Sequence, residues 1–235
     1  MLTGKVIVVT GATGALGRAV VDTLLAANAS VGIVGGRAAG MARLLGELQA
    51  GERVSGYAAD LTDEAQTAEA VAAVAAHFGG LDGLVATAGG FGGGKPVHET
   101  ALADWQGQQE INLTTVFLTC KAVAPHLIAR GGGAIVTIGS RPALRGTPNL
   151  AAYSVAKGGV LRLTEALAGE LLAHDISVNC LLPSTIDTPA NRAGASAAAI
   201  SKWVKPAEIA AVARFLLGPE GRVISGAAIP VYGKA

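Results

Sequence analysis

Short apolar runs rich in β-branched residues alternate along this chain with longer stretches of helical periodicity. Runs of the first kind predict strands, and stretches of the second kind predict helices. The predicted strands cover residues 5–10, 30–34, 54–59, 81–87, 134–139, 176–182 and 227–231. The predicted helices cover residues 15–27, 40–48, 63–77, 101–128, 150–174 and 206–217.

This regular alternation predicts the fold class. Strands joined by right-handed helical crossovers form a doubly wound parallel sheet with helices on both faces. No stretch has the composition of a linker, so residues 1–235 are predicted to form one domain. Residues 189–201 are mostly Ala, Gly and Ser and give only weak structural signals. Ligands of such sheets bind beyond the carboxyl ends of the strands, so functional residues are sought there.

The net charge and the composition argue against several classes of binding partner and of site. The net charge is +1 and no cluster of Lys or Arg occurs, which argues against nucleic acid or an anionic membrane as partner. Cys120 and Cys180 lie in apolar stretches without C-x-x-C spacing, so we expect buried, reduced thiols and no metal site. Neither a secretory signal nor an uninterrupted apolar run of about 18 residues is found, and we expect a cytoplasmic protein.

The first predicted strand ends in a glycine-rich turn. Gly11, Gly14 and Gly17 follow a G-x-x-G-x-x-G spacing at the point where a helix begins. Glycines let the backbone approach a pyrophosphate, and free N–H groups at a helix N-terminus favour its negative charge. The same turn also suits close packing of a helix on a strand, which is the alternative interpretation.

The next two strand ends bear on the choice of dinucleotide. NAD sites usually carry an acid at the end of the second strand for the ribose 2′-hydroxyl, but Arg37 stands here. Arg37 favours a 2′-phosphate, hence NADP(H), unless it is a solvated surface residue. Asp60 follows the third strand and is expected to accept a hydrogen bond from an adenine amino group, to cap the next helix, or both.

A candidate acid–base pair follows the fifth strand. Tyr153 and Lys157 stand four residues apart, which puts both on one face of the predicted helix. A free tyrosine has a pKa of about 10, and a nearby ammonium lowers it. Such a pair can give a proton to a carbonyl oxygen or take one from an alcohol. Ser140, at the end of the fifth strand, can hold the substrate oxygen against Tyr153 or serve as a turn residue.

Taken together, these landmarks resemble the short-chain dehydrogenase/reductase family over essentially the whole chain. The landmarks that carry the resemblance are residues 10–17, Asp60, Ala86-Thr87-Ala88-Gly89, Asn112, Ser140, Tyr153, Lys157 and residues 183–188. The resemblance implies a Rossmann-type sheet of about seven strands. It also implies an NAD(P)(H)-dependent oxidoreductase that interconverts a ketone or aldehyde and an alcohol, with NADP(H) favoured and NAD(H) as the alternative.

The resemblance also implies a role for each site residue. Tyr153 would be the general acid/base, and Lys157 would lower its pKa and hold the nicotinamide ribose. Ser140 would orient the carbonyl, and Asn112 would anchor a water that links Lys157 to solvent. The implied cofactor contacts are Gly11, Thr13, Gly14, Ala15, Leu16, Gly17, Arg37, Asp60, Leu61, Ala88, Gly89, Tyr153, Lys157, Pro183, the Ile186 backbone and the Thr188 hydroxyl. Residues 189–201 would form a lid over a modest apolar ligand.

Some positions depart from the family pattern. Ala86-Thr87 replaces Asn-Asn, Ala15 and Ser184 replace glycines, and Tyr232-Gly233-Lys234 replaces Asp-Gly-Gly. Three stretches, residues 89–93, 146–148 and 187–192, are similar to dihydropteridine reductases, so a pterin-like or quinonoid acceptor is the second substrate choice. A non-catalytic dinucleotide sensor, and an epimerase or dehydratase, remain alternative functions.

Two further features concern the surroundings of the site. Phe91 and Trp203 are interpreted either as walls of the substrate pocket or as ordinary core residues. The helices that begin near residues 101 and 150 are apolar over more of their surface than one sheet face can cover. We therefore expect association between subunits, as a homotetramer or homodimer, which the family usually forms.

Overall fold

The computed structural model describes residues 1–49 and 51–234, and its seven strands form one sheet. The strands are β1 (Val6–Thr10), β2 (Ser30–Val34), β3 (Val54–Tyr57), β4 (Gly83–Ala86), β5 (Gly133–Ile138), β6 (Ile176–Pro183) and β7 (Ala228–Val231). Their order is β3-β2-β1-β4-β5-β6-β7, with every neighbouring pair parallel. The predicted doubly wound sheet is confirmed. The strand order reverses between β1 and β4, which opens a crevice at their carboxyl ends.

Helices cover both faces of the sheet. They are α1 (Ala15–Ala26), α2 (Ala38–Leu48), α3 (Glu64–Phe78), α4 (Leu102–Gln109), α5 (Thr115–Arg130), α6 (Ala151–Leu171), α7 (Pro189–Arg192), α8 (Ala197–Ile200) and α9 (Pro206–Leu217). One hydrophobic core lies under α3, α5 and α6, and the other lies under α1, α2 and α9. Successive side chains of a strand point to opposite faces, and the central strands β1, β4 and β5 are buried at every position because helices cover both faces.

The predicted helix over residues 101–128 is interrupted. Between α4 and α5 the chain forms a π-helical turn, Glu110–Thr114, in which the buried Asn112 points toward the loop after β4. A widened turn of this kind occurs mostly at functional sites. It leaves the apolar periodicity on either side almost unchanged, so the sequence pattern does not reveal it.

Residues 189–201 contain more regular structure than the sequence indicates. The hydroxyls of Thr188 and Ser196 accept hydrogen bonds, at 3.2 Å, from the backbone N–H groups of Asn191 and Ala199. Each hydroxyl caps a four-residue helix, α7 or α8. The two short helices form although the composition gives only weak structural signals, because side-chain caps compensate for the weak helical composition.

Both cysteines lie in the core. Cys120 and Cys180 are buried free thiols, as expected, and burial raises the pKa of Cys120 to about 12.

Residues 102–130 form a helical stretch long and apolar enough, by length and composition alone, to cross a membrane. In this fold, α5 packs against β4, β5 and α3 with Val123 and Leu127 fully buried. The sheet therefore accounts for much of that apolar character.

The buried carboxylate of Asp82 links the amino-terminal ends of β1 and β4, on the side of the sheet away from the crevice. The side chain of Asp82 is 5% exposed and accepts hydrogen bonds from the Val6 N–H and the Lys5 ammonium, each at 3.0 Å. The Arg130 guanidinium lies 3.4 Å from the same carboxylate. Burial works to raise the pKa of Asp82, but these partners together hold it below its usual range.

Replacing Asp82 by Ala is expected to lower the free energy of unfolding by about 1–3 kcal/mol at pH 7, because the buried Val6 N–H loses its acceptor and two half-exposed cations lose their partner. Because the pKa of Asp82 is lower in the folded state, its carboxylate stabilises the fold at pH values above the ordinary pKa of about 3.9. This stabilisation is lost as the pH falls through the folded-state pKa. The penalty of the variant should therefore shrink at pH 3. Urea unfolding at both pH values measures it. The exposed Asp104→Ala control should change stability by less than about 0.5 kcal/mol, and an equal loss in both variants would contradict the prediction.

Candidate active site

One cleft of about 1630 Å³ lies at the carboxyl ends of the strands. It runs from the turn between β1 and α1 to the segments that follow β5 and β6. All of the site residues predicted from the sequence line it: Gly11, Thr13, Gly14, Ala15, Leu16, Gly17, Arg37, Asp60, Leu61, Ala88, Gly89, Asn112, Ser140, Tyr153, Lys157, Pro183, Ile186 and Thr188. Across residues 1–49 and 51–234, no group of three or more His, Cys, Asp or Glu side chains could hold a metal ion.

The glycine turn brings backbone against backbone. Gly11 has a φ of +65°, and a Cβ there would lie 2.7 Å from the Ala88 nitrogen. A Cβ on Gly17 would lie 2.3 Å from the Gly11 carbonyl oxygen. Both glycines are therefore required by packing, which confirms that part of the alternative interpretation.

The N-terminus of α1 is also suited to an anion. Gly14 occupies its N-cap, no side chain caps it, and its first turn contains no acid. Its N–H groups line the cleft without side-chain competitors, which is the arrangement that binds a pyrophosphate. The residues present fit a dinucleotide, so the packing role and the binding role coexist in one turn.

The Ala86-Thr87 departure is compensated locally. The Thr87 hydroxyl donates a hydrogen bond to the Thr10 carbonyl, and the Ala88 N–H donates to the Thr10 hydroxyl at 3.2 Å. These two bonds join the end of β1 to the loop after β4. A pair of threonine hydroxyls thus fixes the crevice where the family pattern has an asparagine amide.

Arg37 and Asp60 lie at the glycine-turn end of the cleft. Arg37 is exposed, stands at the N-cap of α2, and makes no side-chain hydrogen bond or ion pair with a described residue. Asp60 Oδ1 accepts hydrogen bonds from the Thr62 N–H and hydroxyl at 2.9 and 2.7 Å. The cap of α3 is Asp63, which accepts from the Gln66 N–H, so the expectation that Asp60 caps this helix is wrong. The Oδ2 oxygen of Asp60 is left without a hydrogen bond from the described residues.

Tyr153 and Lys157 lie near the start of α6, next to Ser140 at the end of β5. Burial raises the pKa of Tyr153, and the Ser140 hydroxyl opposes that shift. The Lys157 ammonium donates to the Ile138 carbonyl at 2.9 Å, and the expectation that Lys157 lowers the pKa of Tyr153 stays a prediction. Lys157 is 5% exposed, and burial lowers its own pKa to about 8. Tyr153 is accordingly a protonated phenol at neutral pH.

Asn112 fastens the loop after β4. Its Oδ1 accepts from the Gly90 N–H at 3.1 Å, and its Nδ2 donates to the Gly90 carbonyl at 2.9 Å and to Gln108 at 3.1 Å. A Cβ on Gly89 would lie 2.8 Å from Asn112 Oδ1 and 3.3 Å from Lys157 Nζ. The π-helical turn thus brings Asn112 and Lys157 to the same glycine. The predicted water link through Asn112 stays a prediction.

The segment after β6 presents a backbone donor. The Asn191 amide donates to the Ile186 carbonyl at 2.9 Å, and Thr188 accepts from the Asn191 N–H. The Ile186 N–H has no acceptor among the described residues. It is free to meet a carboxamide, and the Thr188 hydroxyl, which accepts a hydrogen bond as the cap of α7, still has its own hydrogen to donate. Asn191 is a supporting residue that the sequence analysis missed.

Comparison with known proteins identifies the family. The model of the short chain dehydrogenase family matches residues 5–198. The chain belongs to the short-chain dehydrogenase/reductase family. It is 34% identical over 243 residues to D-threitol dehydrogenase of Mycolicibacterium smegmatis, with 99% of this chain and 93% of that protein covered.

Solved structures of the same family are similar throughout. The 3-ketoacyl-(acyl-carrier-protein) reductase of Brucella melitensis in complex with NADH has 30% identity and a TM-score of 0.89, with 98% of each chain covered. A blue fluorescent protein from a metagenomic library in complex with NADPH has 33% identity and a TM-score of 0.89, with coverage of 99% and 98%. The chain is thus a short-chain dehydrogenase/reductase of a family whose members bind either dinucleotide.

Phe91 and Trp203 line the cleft of this short-chain dehydrogenase/reductase, in agreement with their interpretation as pocket walls. The ring of Phe91 is 72% exposed and stands edge-on to Tyr153, with centroids 5.3 Å apart. Several other cleft residues had no role in the sequence analysis. Further lining residues are Gly90, Glu110, Ile111, Thr115, Arg141, Pro142, Leu150, Ser184 and Thr185. Residues 141 and 142 follow a predicted strand end and could have been found from that signal. Glu110, Ile111 and Thr115 lie in or beside the π-helical turn and carried none.

Replacing Gly17 by Ala is expected to lower the free energy of unfolding by about 1–3 kcal/mol, because the new methyl group meets the Gly11 carbonyl. Gly46→Ala is the matched control, since a Cβ there meets nothing within 4 Å on the exposed side of α2. The control should be neutral or slightly stabilising. Urea unfolding of both variants without any dinucleotide measures the packing role alone. Equal stability of the two variants would refute it.

Proposed function

We propose that the protein is an oxidoreductase that interconverts a ketone or aldehyde and an alcohol, using NADP(H) in preference to NAD(H). One observation carries the proposal. Ser140, Tyr153 and Lys157 line the same cleft as the uncapped N-terminus of α1. The family membership supports a dehydrogenase or reductase activity.

Each residue has a chemical task in this proposal. A bound nicotinamide would supply or accept the hydride. Tyr153 donates its phenolic proton to the carbonyl oxygen in reduction and takes it back in oxidation. The raised pKa of Tyr153 keeps the proton in place at neutral pH. Ser140 donates a hydrogen bond to the same oxygen, and Lys157 holds the ribose and, with Asn112, passes protons toward solvent.

The cofactor end of the cleft supports NADP(H). The end of β2 carries Arg37 and no acid, and the two glycines before it, Gly35 and Gly36, have positive φ values of 102° and 79°. This bend turns the chain so that Arg37 lines the cleft. An unpaired guanidinium suits the additional charge of a 2′-phosphate.

Assembly and location belong to the same proposal. We propose that residues 1–235 act as one domain in a homotetrameric or homodimeric cytoplasmic protein. A groove of about 320 Å³ between α5 and α6 is lined by Phe117, Pro125, Ile128, Leu163 and Leu167, among others. The partial exposure of Phe117 and Ile128, at 44% and 39%, supports association of these helices between subunits.

The residues of the same site also bear on the alternative functions. A pterin-like or quinonoid acceptor is the second substrate choice, because the glycine-rich loop with Phe91 offers a planar wall beside Tyr153. A non-catalytic dinucleotide sensor would not need Ser140, Tyr153 and Lys157 together. The names of similar proteins refer to D-threitol and to a protein-borne ketoacyl group, so they do not define the substrate of this chain.

The decisive experiment combines cofactor binding with turnover. Binding of NADPH and of NADH is titrated by fluorescence, and a panel of ketones and aldehydes is then assayed at saturating cofactor.

Tyr153→Phe should lower kcat by about 10²–10⁴-fold and leave NADPH affinity nearly unchanged, because the phenolic proton is lost and the ring is kept. Tyr57→Phe, at the end of β3 and away from the cleft lining, should leave kcat unchanged. Absence of dinucleotide binding, or full turnover by Tyr153→Phe, would refute the proposal.

Replacing Arg37 by Ala is expected to raise KM for NADPH by about tenfold or more and to change KM for NADH little, because a charge-assisted hydrogen bond to phosphate is lost. Arg43→Ala, an exposed arginine in the same helix, is the control and should leave both values unchanged. Steady-state kinetics with each cofactor measures the effect. A wild-type preference for NADH would contradict the assignment of Arg37.

A further inference from the structure

Arg141 is a charged residue of the cleft for which the proposed chemistry has no use. It directly follows Ser140, and its side chain lines the cleft together with Pro142. Its guanidinium lies over the ring of Tyr232, with the Cζ atom 5.2 Å from the ring centroid. Among the described residues, it neither makes an ion pair within 4.0 Å nor donates a side-chain hydrogen bond. The residue thus borders the cleft directly beside Ser140, and its five N–H donors have no acceptor among the described residues.

The backbone under Arg141 is firmly held. The Ala143 N–H donates to the Ser140 carbonyl at 2.9 Å, and the Leu144 N–H donates to the Arg141 carbonyl at 3.2 Å. Pro142 fixes one backbone angle in this single turn. The turn packs against α6, the helix that carries Tyr153. Arg141 is therefore presented from the same rigid frame as the two groups proposed to hold the reacting oxygen.

The aromatic platform is held as well. Tyr232 follows β7, and its carbonyl accepts a hydrogen bond from the Ser184 hydroxyl at 2.7 Å. Its ring packs against the hydrophobic core under α3, α5 and α6. Stacking on an aromatic face orients a guanidinium and leaves its in-plane N–H groups free for another ligand. Tyr232 and Ser184 are two of the positions that depart from the family pattern.

The charged side chains that line the cleft beyond its glycine-turn end are two cations and one acid. The charged side chains among its described lining residues are Arg37, Asp60, Glu110, Arg141 and Lys157. Arg37 and Asp60 lie at the glycine-turn end, and Lys157 is engaged with the Ile138 carbonyl. Glu110 lies on the π-helical turn and makes no ion pair within 4.0 Å with a described residue. The remaining walls include Phe91, Leu150 and Trp203, whose apolar surfaces strengthen an ionic contact.

We propose that Arg141, oriented by the ring of Tyr232, binds a carboxylate on the substrate, so that the enzyme acts on oxo acids or hydroxy acids. The planar guanidinium forms two parallel hydrogen bonds to a carboxylate, which fixes the distance between the acid group and the reacting carbonyl. The inference rests on the proposed function, since it names the substrate class of that same site.

The test compares acids with their esters. The probes are acetoacetate, levulinate, 5-oxohexanoate and 6-oxoheptanoate, each with its methyl ester. Calorimetry measures their binding to the whole protein in the presence of excess NADP⁺, a combination that cannot react with a ketone. For at least one chain length the acid should bind about tenfold more tightly than its ester, as expected for one charge-assisted contact. The same preference should appear in kcat/KM for reduction by NADPH.

Variants connect the preference to Arg141. Arg141→Met should bring the acid-to-ester ratio close to 1, and Arg145→Met, an exposed arginine of the same loop outside the cleft lining, should leave it unchanged. Tyr232→Leu should reduce the ratio, whereas Tyr232→Phe, which keeps the ring, should preserve it. The last pair separates orientation of the guanidinium from a general effect on folding.

The outcomes separate this inference from the proposed function. Reduction of neutral ketones without preference for any acid, or a preference that survives in Arg141→Met, would overturn the role of Arg141 alone. A weaker NADPH affinity in Arg141→Met with an unchanged acid-to-ester ratio would assign the guanidinium to the cofactor and also overturn it. Absence of dinucleotide binding and turnover would overturn the proposed function, and the calorimetric ratio without cofactor would still decide whether Arg141 binds carboxylates.

Discussion

The close approach of the β1–α1 turn to the loop after β4 is the constraint on which the rest of the site depends. With Gly11 at this point, the backbone of the turn lies directly against Ala88, where a side chain would collide with the Ala88 nitrogen. The hydrogen bonds from the Thr87 hydroxyl and the Ala88 N–H to Thr10 close the same gap from the strand side. Because both strands are central in a parallel sheet, their ends have no freedom to separate. One tight contact therefore sets the floor of the cleft.

Above this contact, the site contains buried polar side chains, and each of them has defined hydrogen-bond partners. Asn112 is fully buried and satisfied by Gly90 and Gln108, and Lys157 is buried on the Ile138 carbonyl. Buried polar groups without partners cost several kcal/mol, so each of these contacts also fixes a geometry. Removing the ammonium from water brings the pKa of Lys157 to about 8. Burial thus lowers the pKa of Lys157 and raises the pKa of Tyr153 on the same helix.

The cleft residues come from two different parts of this frame. The glycine turn, Tyr153 and Lys157 are held by the sheet and by α6, whereas Phe91, Arg141 and Tyr232 extend from loops or strand ends around them. Loops on a rigid scaffold change side chains without disturbing the scaffold, which is how one fold serves many substrates. The stacked pair of Arg141 and Tyr232 is an example, because neither residue contributes to the closure of the crevice.

The sequence by itself determined the strands, the parallel fold class, the glycine turn and the Tyr153–Lys157 pair, because each depends on periodicity or spacing within a short segment. The tertiary structure alone decided features that join distant segments. It showed that burial raises the pKa of Tyr153, that Asp63 and not Asp60 caps α3, and that a π-helical turn carries Asn112 to Gly90. It also brought Arg141 over Tyr232. Desolvation and contacts between separate strand ends arise only when the sheet has assembled, so no local pattern encodes them.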